Sequence, residues 1–209
     1  MEVRIRPARA RDLPAIVAVY NHYVEHTPVT FEVTPIVPGE RDEWFREHTS
    51  GGRYRLMVAA NSNDDTVVGW ATTSPFRPRA AYATTVEASV YCRPGYLGRG
   101  IGTRLYSALF ESIREEDVER IVAGITLPNP ASVKLHRHFG FERVGVFHRV
   151  GRKFDQYWDV AWFERPLREG SEKGAGLRSR LPDSNRRPED IHGGRRRSGS
   201  LTYSPPLYH

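Results

Sequence analysis

Residues 84–103 read TTVEASVYCRPGYLGRGIGT, and this stretch decides the fold. Thr84 to Cys92 is rich in Val, Thr and Tyr, the composition of a strand. In strand alternation Val86, Ala88 and Val90 share one face, and Thr85, Glu87, Ser89 and Tyr91 share the other. A glycine cluster follows, Gly95 to Gly102, and from Ile101 the spacing changes to that of a helix. Ile101, Leu105, Leu109 and Ile113 mark one buried stripe, predicting a helix to about Glu116. Strand, glycine loop and helix together suit an anionic ligand. Glycines let backbone N–H groups approach closely, and the helix start adds unpaired donors and a partial positive charge, so pyrophosphate is the natural guest. Gly98-Arg99-Gly100-Ile101-Gly102-Thr103 is not a Walker loop, because no Gly-Lys-Ser/Thr follows. It is not the dinucleotide fingerprint, since Thr103 stands where the third glycine belongs. A glycine-rich turn before a helix also serves as a plain tight connection, and the loop alone leaves both readings open.

Working outward, Val3 and Ile5 alternate with charged residues in a short strand. Asp12 is expected to cap a helix with Pro14 in its first turn, and Leu13, Ile16, Val17, Tyr20 and Val24 recur at helical spacing to about Glu25. A shorter helix after Pro38-Gly39 carries Trp44 and Phe45. Leu56 to Ala60 and Val67 to Thr73 read as strands around a turn at Asn61 to Asp65. Beyond the glycine loop, Ile121 to Leu127 is an apolar strand and Asn129 to Phe139 a helix, with Gly140 as its left-handed stop. Two strands, Glu142 to Val150 and Gln156 to Glu164, close a mixed α/β domain near Leu167.

Two further groups carry chemistry. A carboxylate in mid-strand, Glu87, just before a phosphate-binding loop, is placed to take a proton from an amine; equally, it fits the wet face of a sheet. Asn129 precedes Pro130 as a helix N-cap, and Ser132 and His136 lie four apart on one face of that helix. A histidine there can donate a proton near neutral pH, or simply face solvent.

Taken together these residues resemble the GNAT superfamily of N-acetyltransferases. Leu97 to Gly102 matches its pyrophosphate loop, Q/R-x-x-G-x-G/A, and Asn129…Ser132…His136…Gly140-Phe141 matches its second block. Tyr20-Asn21-His22, Pro75-Phe76-Arg77, Thr85-Val86-Glu87, Ser89-Val90-Tyr91, Val122-Ala123-Gly124-Ile125 and Val150-Gly151-Arg152-Lys153-Phe154 resemble the phosphinothricin/methionine-sulfone acetyltransferase branch, a branch tied to antibiotic and herbicide resistance. The similarity covers about residues 3–167.

The resemblance implies the GNAT fold, a mixed twisted sheet of about six to seven strands flanked by helices, and direct acetyl transfer from acetyl-CoA to a small amino-acid-like amine with no covalent enzyme intermediate. It assigns the backbone of Val90, Tyr91 and Cys92 to the pantetheine arm, and Gly98, Arg99, Gly100, Ile101, Gly102 and Thr103 to the pyrophosphate. Asn129 and Ser132 also fall to the cofactor. Glu87 becomes the general base, His136 the group that protonates the departing thiolate, and Arg77 with Tyr82 the grip on a substrate carboxylate, a task suited to a guanidinium fork. No metal is implied; a homodimer is expected. The sequence departs from the pattern at Leu97, where Gln or Arg is usual, and at Thr84 and Ala88, where the branch commonly has histidines. Losing both histidines is expected to alter the pocket and shift preference away from phosphinothricin-like acids. Acetylation of protein N-termini, and a non-catalytic acetyl-CoA-binding or nucleic-acid-associated module, are the competing readings. Retention of Glu87, Asn129 and His136 together argues against the latter.

Composition narrows the rest. The chain has 209 residues and a formal net charge of +6. Residues 169–209 hold eight Lys+Arg against five Asp+Glu, so half the excess sits in a fifth of the length. That segment is rich in Gly, Pro and Ser without apolar periodicity, so it is expected to be a disordered basic tail following a domain at 1–168. Its Arg195-Arg196-Arg197 run reads as a solvated charge run, and no nucleic-acid partner is expected. The single cysteine, Cys92, excludes an intramolecular disulfide and fits a reducing compartment. No apolar run approaches a membrane span and no leader pattern opens the sequence, so a cytoplasmic protein is expected.

Overall fold

The computed structural model describes residues 2–49 and 51–168; the expected tail lies outside the described residues. The elements are β1 (Val3–Pro7), α1 (Leu13–His26), α2 (Asp42–Thr49), β2 (Leu56–Asn61), β3 (Val67–Pro75), β4 (Thr85–Cys92), α3 (Ile101–Ser112), β5 (Arg120–Leu127), α4 (Pro130–His138), β6 (Glu142–Lys153) and β7 (Gln156–Pro166). They form one seven-stranded mixed sheet, ordered β1-β2-β3-β4-β5-β7-β6. Every neighbouring pair is antiparallel except β4 and β5. This is the α/β sheet flanked by helices that the sequence pattern implied.

Period-2 alternation sends the two sides of each strand to different helices. On one face Val86, Ala88, Ile121 and Ala123 meet α3, whose Leu105, Tyr106 and Leu109 are fully buried. On the other, Leu56, Val58 and Trp70 meet Ile16 and Val17 of α1 and Phe45 of α2. Each such large apolar side chain contributes roughly 1.5–3 kcal/mol by leaving water, and together they fix which face each strand presents.

Three local expectations are corrected. The Asp12 carboxylate does not cap α1; it accepts the Arg9 N–H at 2.7 Å and pairs with buried Arg6 at 2.6 Å. A buried guanidinium holds that carboxylate more strongly than helix amides, which water can reach. The helix α3 stops at Ser112, four residues early. Ile113 leaves helical geometry (φ −109°) but stays buried, and the charged run after it has nothing apolar to keep it on the sheet. Finally, β6 continues to Lys153, three residues past the expected end, because it pairs with β7 around a two-residue turn, Phe154-Asp155, with both φ positive.

The β6 strand forms the sheet edge and is irregular. Three of its residues, His148 to Val150, face the single residue Asp159 on β7. The Asp159 carboxylate spans the irregularity, accepting the Arg149 N–H at 2.8 Å and lying 2.9 Å from His148 Nδ1.

Candidate active site

The parallel strands β4 and β5 share only three pairs: Thr85 with Arg120, Val86 with Ile121, and Glu87 with Val122. Beyond Glu87 they separate, while β3 follows β4 without interruption as far as Cys92. The Arg93 N–H donates to Val68 O at 2.8 Å, which sets the alternation along β4. Peptide groups of Tyr91 and Ser89 therefore turn toward β3, and those of Ala88, Val90 and Cys92 turn toward the gap. The Cys92 carbonyl accepts the Tyr23 hydroxyl at 2.5 Å. Val90 thus presents both an N–H and a C=O to the opening, the edge an extended ligand can join as an added strand. Of the stretch 90–92, Val90 and Cys92 turn their peptide groups toward the gap and Tyr91 turns its own toward β3, while Val90 and Tyr91 both line the gap. The Cys92 thiol is buried on the α3 side and pushed up to about 11 by that burial, so it is no nucleophile.

The glycine loop leads into α3 at the mouth of the same gap. Gly98 and Gly100 have φ of +73° and +74°, a conformation costly for other residues, and Gly100 is the N-cap residue. The first amides of α3, at Ile101, Gly102 and Thr103, have no carbonyl one turn earlier within the helix. Gly102 is close-packed for a different reason: a Cβ there would stand 3.2 Å from Leu135 Cδ2 of α4, which would have to give by a few tenths of an ångström, and 4.0 Å from Val90 Cγ2. The absent side chain lets the helix start close onto the gap. Arg99 and Leu97 are exposed, with Arg99 stacked on Tyr96 at 5.4 Å.

The gap itself is lined by Val29, Ala88, Val90, Tyr106, Ser132 and His136, among others. Asn129 caps α4 as expected, its Oδ1 accepting Ser132 N–H at 3.1 Å, so its Nδ2 is the donor it can offer. His136 is not on a wet helix face. It is 3 % exposed, wedged against Phe141 and Tyr106. Its Nδ1 lies 2.8 Å from the Ser132 carbonyl, which can only accept, so Nδ1 carries the proton. Burial lowers its pKa, favouring the neutral ring, so Nε2 is the acceptor for the Tyr106 hydroxyl at 3.0 Å. In this arrangement His136 has no proton to present to a leaving thiolate; it orients Tyr106 instead.

Glu87 lies on the opposite face, at the point where the strands part. It is half-buried rather than on a wet face, and desolvation raises its carboxyl pKa, with Arg77 offsetting part of the rise. Arg77 stacks on Phe76 at 4.6 Å and on Trp162 at 6.0 Å, and Tyr82 meets Phe76 edge-on at 5.7 Å. Both residues named for substrate binding thus belong to one aromatic cluster beside Glu87. Of the departures at Thr84 and Ala88, Ala88 is on the α3 side and lines the gap. Sequence reasoning missed Tyr106, which helical spacing places only as core. It also missed Trp70 and Ser74, whose pairing opposite Tyr91 and Glu87 puts them on the face of Glu87. Among the described residues no group of three or more His, Cys, Asp or Glu is placed to hold a metal ion.

Residues 16–141 match the model of the Acetyltransferase (GNAT) family. The chain is 51 % identical over 166 residues to a phosphinothricin N-acetyltransferase of Streptomyces coelicolor, covering 79 % of this chain and 97 % of that one. It is 37 % identical over 167 residues to an L-methionine sulfoximine/L-methionine sulfone acetyltransferase of Pseudomonas aeruginosa, covering 80 % and 96 %. Among solved structures it resembles a GNAT superfamily phosphinothricin acetyltransferase from Sinorhizobium meliloti in complex with acetyl-CoA. The TM-score is 0.76 at 35 % identity, over 82 % of this chain and 91 % of that one.

Proposed function

The chain belongs to the acetyltransferase (GNAT) family, and on that premise we propose how its residues divide the reaction. It is an N-acetyltransferase, acting from acetyl-CoA on the amine of a small amino-acid-like substrate. Phosphinothricin and methionine sulfone or sulfoximine, named for its relatives, are the starting candidates, and a role in resistance to such compounds is part of the proposal.

The observation that carries the reading is Glu87 at the parting of β4 and β5. On one side lies an open strand edge, on the other an aromatic cluster with a guanidinium. A protonated amine has no lone pair, so its proton must leave before attack, and Glu87 accepts it. Its raised pKa brings base and ammonium closer in proton affinity. The Val90 N–H polarises the thioester carbonyl, and its C=O and the Cys92 N–H hold the pantetheine arm with Asn129 Nδ2. Backbone amides from Gly98 to Thr103 cradle the pyrophosphate, with Arg99 at the rim. Ser132 supports the α4 side, and Tyr106, oriented by His136, closes the floor. Arg77 and Tyr82 hold the substrate carboxylate. The neutral amine attacks the acetyl carbon, the C–S bond breaks, and the second proton on nitrogen passes to the departing thiolate or to solvent.

We also propose a homodimer in the cytoplasm. Val144, Phe147, Val150, Phe154 and Tyr157 on the terminal hairpin are each about half exposed or more, an apolar surface suited to a second copy. Light scattering of the purified chain should give twice the monomer mass. Release of free CoA thiol, followed with a panel of amino acids, tests the activity. No release with any amine at millimolar acetyl-CoA sinks the reading.

A further inference from the structure

The run Val150-Gly151-Arg152-Lys153-Phe154 closes β6 and takes no part in the division of roles above. Lys153 stands beside the hairpin turn, where an ammonium can reach water freely, yet it is only 4 % exposed. Its Nζ donates to Thr30 O at 2.8 Å and to Tyr23 O at 3.4 Å, and lies 5.2 Å from the centre of the Phe154 ring. A buried charge is costly unless such groups replace its water, so these carbonyls hold the ammonium inward. Gly151, two residues back on the same strand face, has a matching task. A Cβ there would stand 2.2 Å from the Phe31 ring. One face of β6 thus grips two adjacent residues, Thr30 and Phe31.

The gripped segment, 27–37, runs from α1 toward α2 and reaches the site at two points. Val29 lines the gap between β4 and β5, with Val90 and Asn129. Ile36 lines a cavity of about 150 Å³ on the α1 side of the sheet, with Tyr20 and Trp44. Tyr91 borders both spaces. The ends of the segment are tied to α1. Tyr23 O accepts the N–H and the hydroxyl of Thr27 at 3.2 and 3.0 Å, and the Asn21 amide bonds the Ile36 N–H and C=O at 2.9 and 2.8 Å. Between them, Thr30 Oγ1 lies 2.6 Å from the Tyr20 hydroxyl. To these local ties Lys153 adds one from 123 residues along the chain. Every ordered residue of the segment costs conformational entropy, so it holds one position only where such ties outweigh that cost.

We propose that Lys153 is a positioning residue for acetyl transfer: with Gly151 it pins the middle of segment 27–37, and so sets Val29 against the gap and Ile36 against the cavity. It touches neither acceptor nor cofactor and acts through the segment. The segment borders the acceptor in the ground state and the transition state alike, so loosening it raises KM for the amine and spares kcat. The pyrophosphate loop lies at the start of α3, away from this tie, so acetyl-CoA affinity is little affected. The proposal rests on the acetyltransferase reading above.

The test is a comparison of kcat and KM in the full chain, with acetyl-CoA and L-methionine sulfone or the fastest amine of the panel above. Lys153→Met keeps the methylenes and removes the donors. It should raise KM for the amine about tenfold, the scale of apolar contacts in a substrate pocket, with kcat and the acetyl-CoA Kd each within about threefold. Gly151→Ala, which pushes the Phe31 ring toward solvent, should shift the same constant in the same direction. If Lys153→Met does not fold, Gly151→Ala carries the test. Ile113→Ala, a core change at the end of α3, lowers stability away from the segment and is the control; its KM should stay within about twofold of wild type. An amine KM unchanged in the two β6 variants, a fall confined to kcat, or an equal rise in the control overturns the positioning role and leaves the transferase standing. No transfer by the wild-type protein to any amine overturns the transferase reading and this role with it.

Discussion

The Tyr106 hydroxyl stands 3.0 Å from His136 Nε2, and the other ring nitrogen is held 2.8 Å from the Ser132 carbonyl. The chain Tyr106–His136–Ser132 ties α3 to α4 beneath the opening between β4 and β5. It makes His136 a neutral acceptor. His136→Phe keeps the ring volume but strands the Tyr106 hydroxyl, which should cost about 1–3 kcal/mol of stability. Turnover should stay within about tenfold of wild type. A loss of turnover of a thousandfold with an unchanged melting temperature would instead make His136 a proton donor in the reaction.

His136 and His48 are both buried, and desolvation lowers both pKa values. In the unfolded chain they titrate near 6.5. Folding therefore favours their neutral forms. Their contribution is fully present above about pH 6.5 and is lost as pH falls from there through the lowered folded values. Denaturant melts at pH 7.5, 6.5 and 5.5 should show stability falling with acid. The drop should be smaller in His136→Phe than in the wild-type protein. A drop of equal size in the two proteins would show that His136 is charged in the folded state or not linked to folding.

Glu87→Gln should leave acetyl-CoA affinity almost unchanged and lower turnover by roughly 10²–10⁴-fold. The deficit should narrow between pH 7 and 9.5, as more substrate amine is already neutral. Because the folded carboxyl is raised above its unfolded value, stability is lost as pH rises from about 4.5 through the folded value. The glutamine variant should thus melt higher than wild type at pH 8, with the gap closing near pH 4. A near-wild-type rate at every pH would return Glu87 to a surface role.

Gly100→Ala meets no neighbour, yet must hold φ at +74°. The expected cost is about 1 kcal/mol, concentrated in the loop. Isothermal titration with CoA should show affinity weakened several-fold. An unchanged affinity would separate the pyrophosphate from this loop.

Ending the chain at Arg168 should leave folding and turnover intact. The last strand closes at Pro166, and Leu167 N–H is already bonded to Glu119 O at 3.1 Å. An insoluble product, or a folded one with most of its activity lost, would show that residues 169–209 belong to the domain.

The strand-loop-helix at 84–112 was legible because each part has its own period: alternation through Val86 and Ala88, glycines at 98, 100 and 102, then a stripe from Ile101 to Leu109. The cap at Asn129 and the stop at Gly140 follow from backbone chemistry that is local in sequence. What could not be read depends on partners far along the chain. The Asp12 carboxylate turns to Arg6 and Asp65 joins them, 53 residues later, so no local rule for caps anticipates it. His136 shows the same limit: helical spacing puts it beside Ser132, but only packing of α4 on α3 decides that the face is dry. Glu87 sits on a polar-looking strand face that becomes enclosed when Phe76 and Arg77, from the loop after β3, and Trp162, from β7, converge on it.

Asp159 has a consequence for behaviour at high concentration. An outer strand with a regular row of free peptide groups is a template on which another chain can crystallise a strand of its own, the first step toward fibrous aggregates. On β6 that row is broken. Three residues crowd opposite one, Arg149 is turned into the left-handed conformation, and its N–H is already consumed by a carboxylate from the neighbouring strand. Any strand laid along this border runs out of matching partners after Phe147. The apolar side chains there can still be covered by a folded surface, so the irregularity admits association by shape while refusing propagation by backbone.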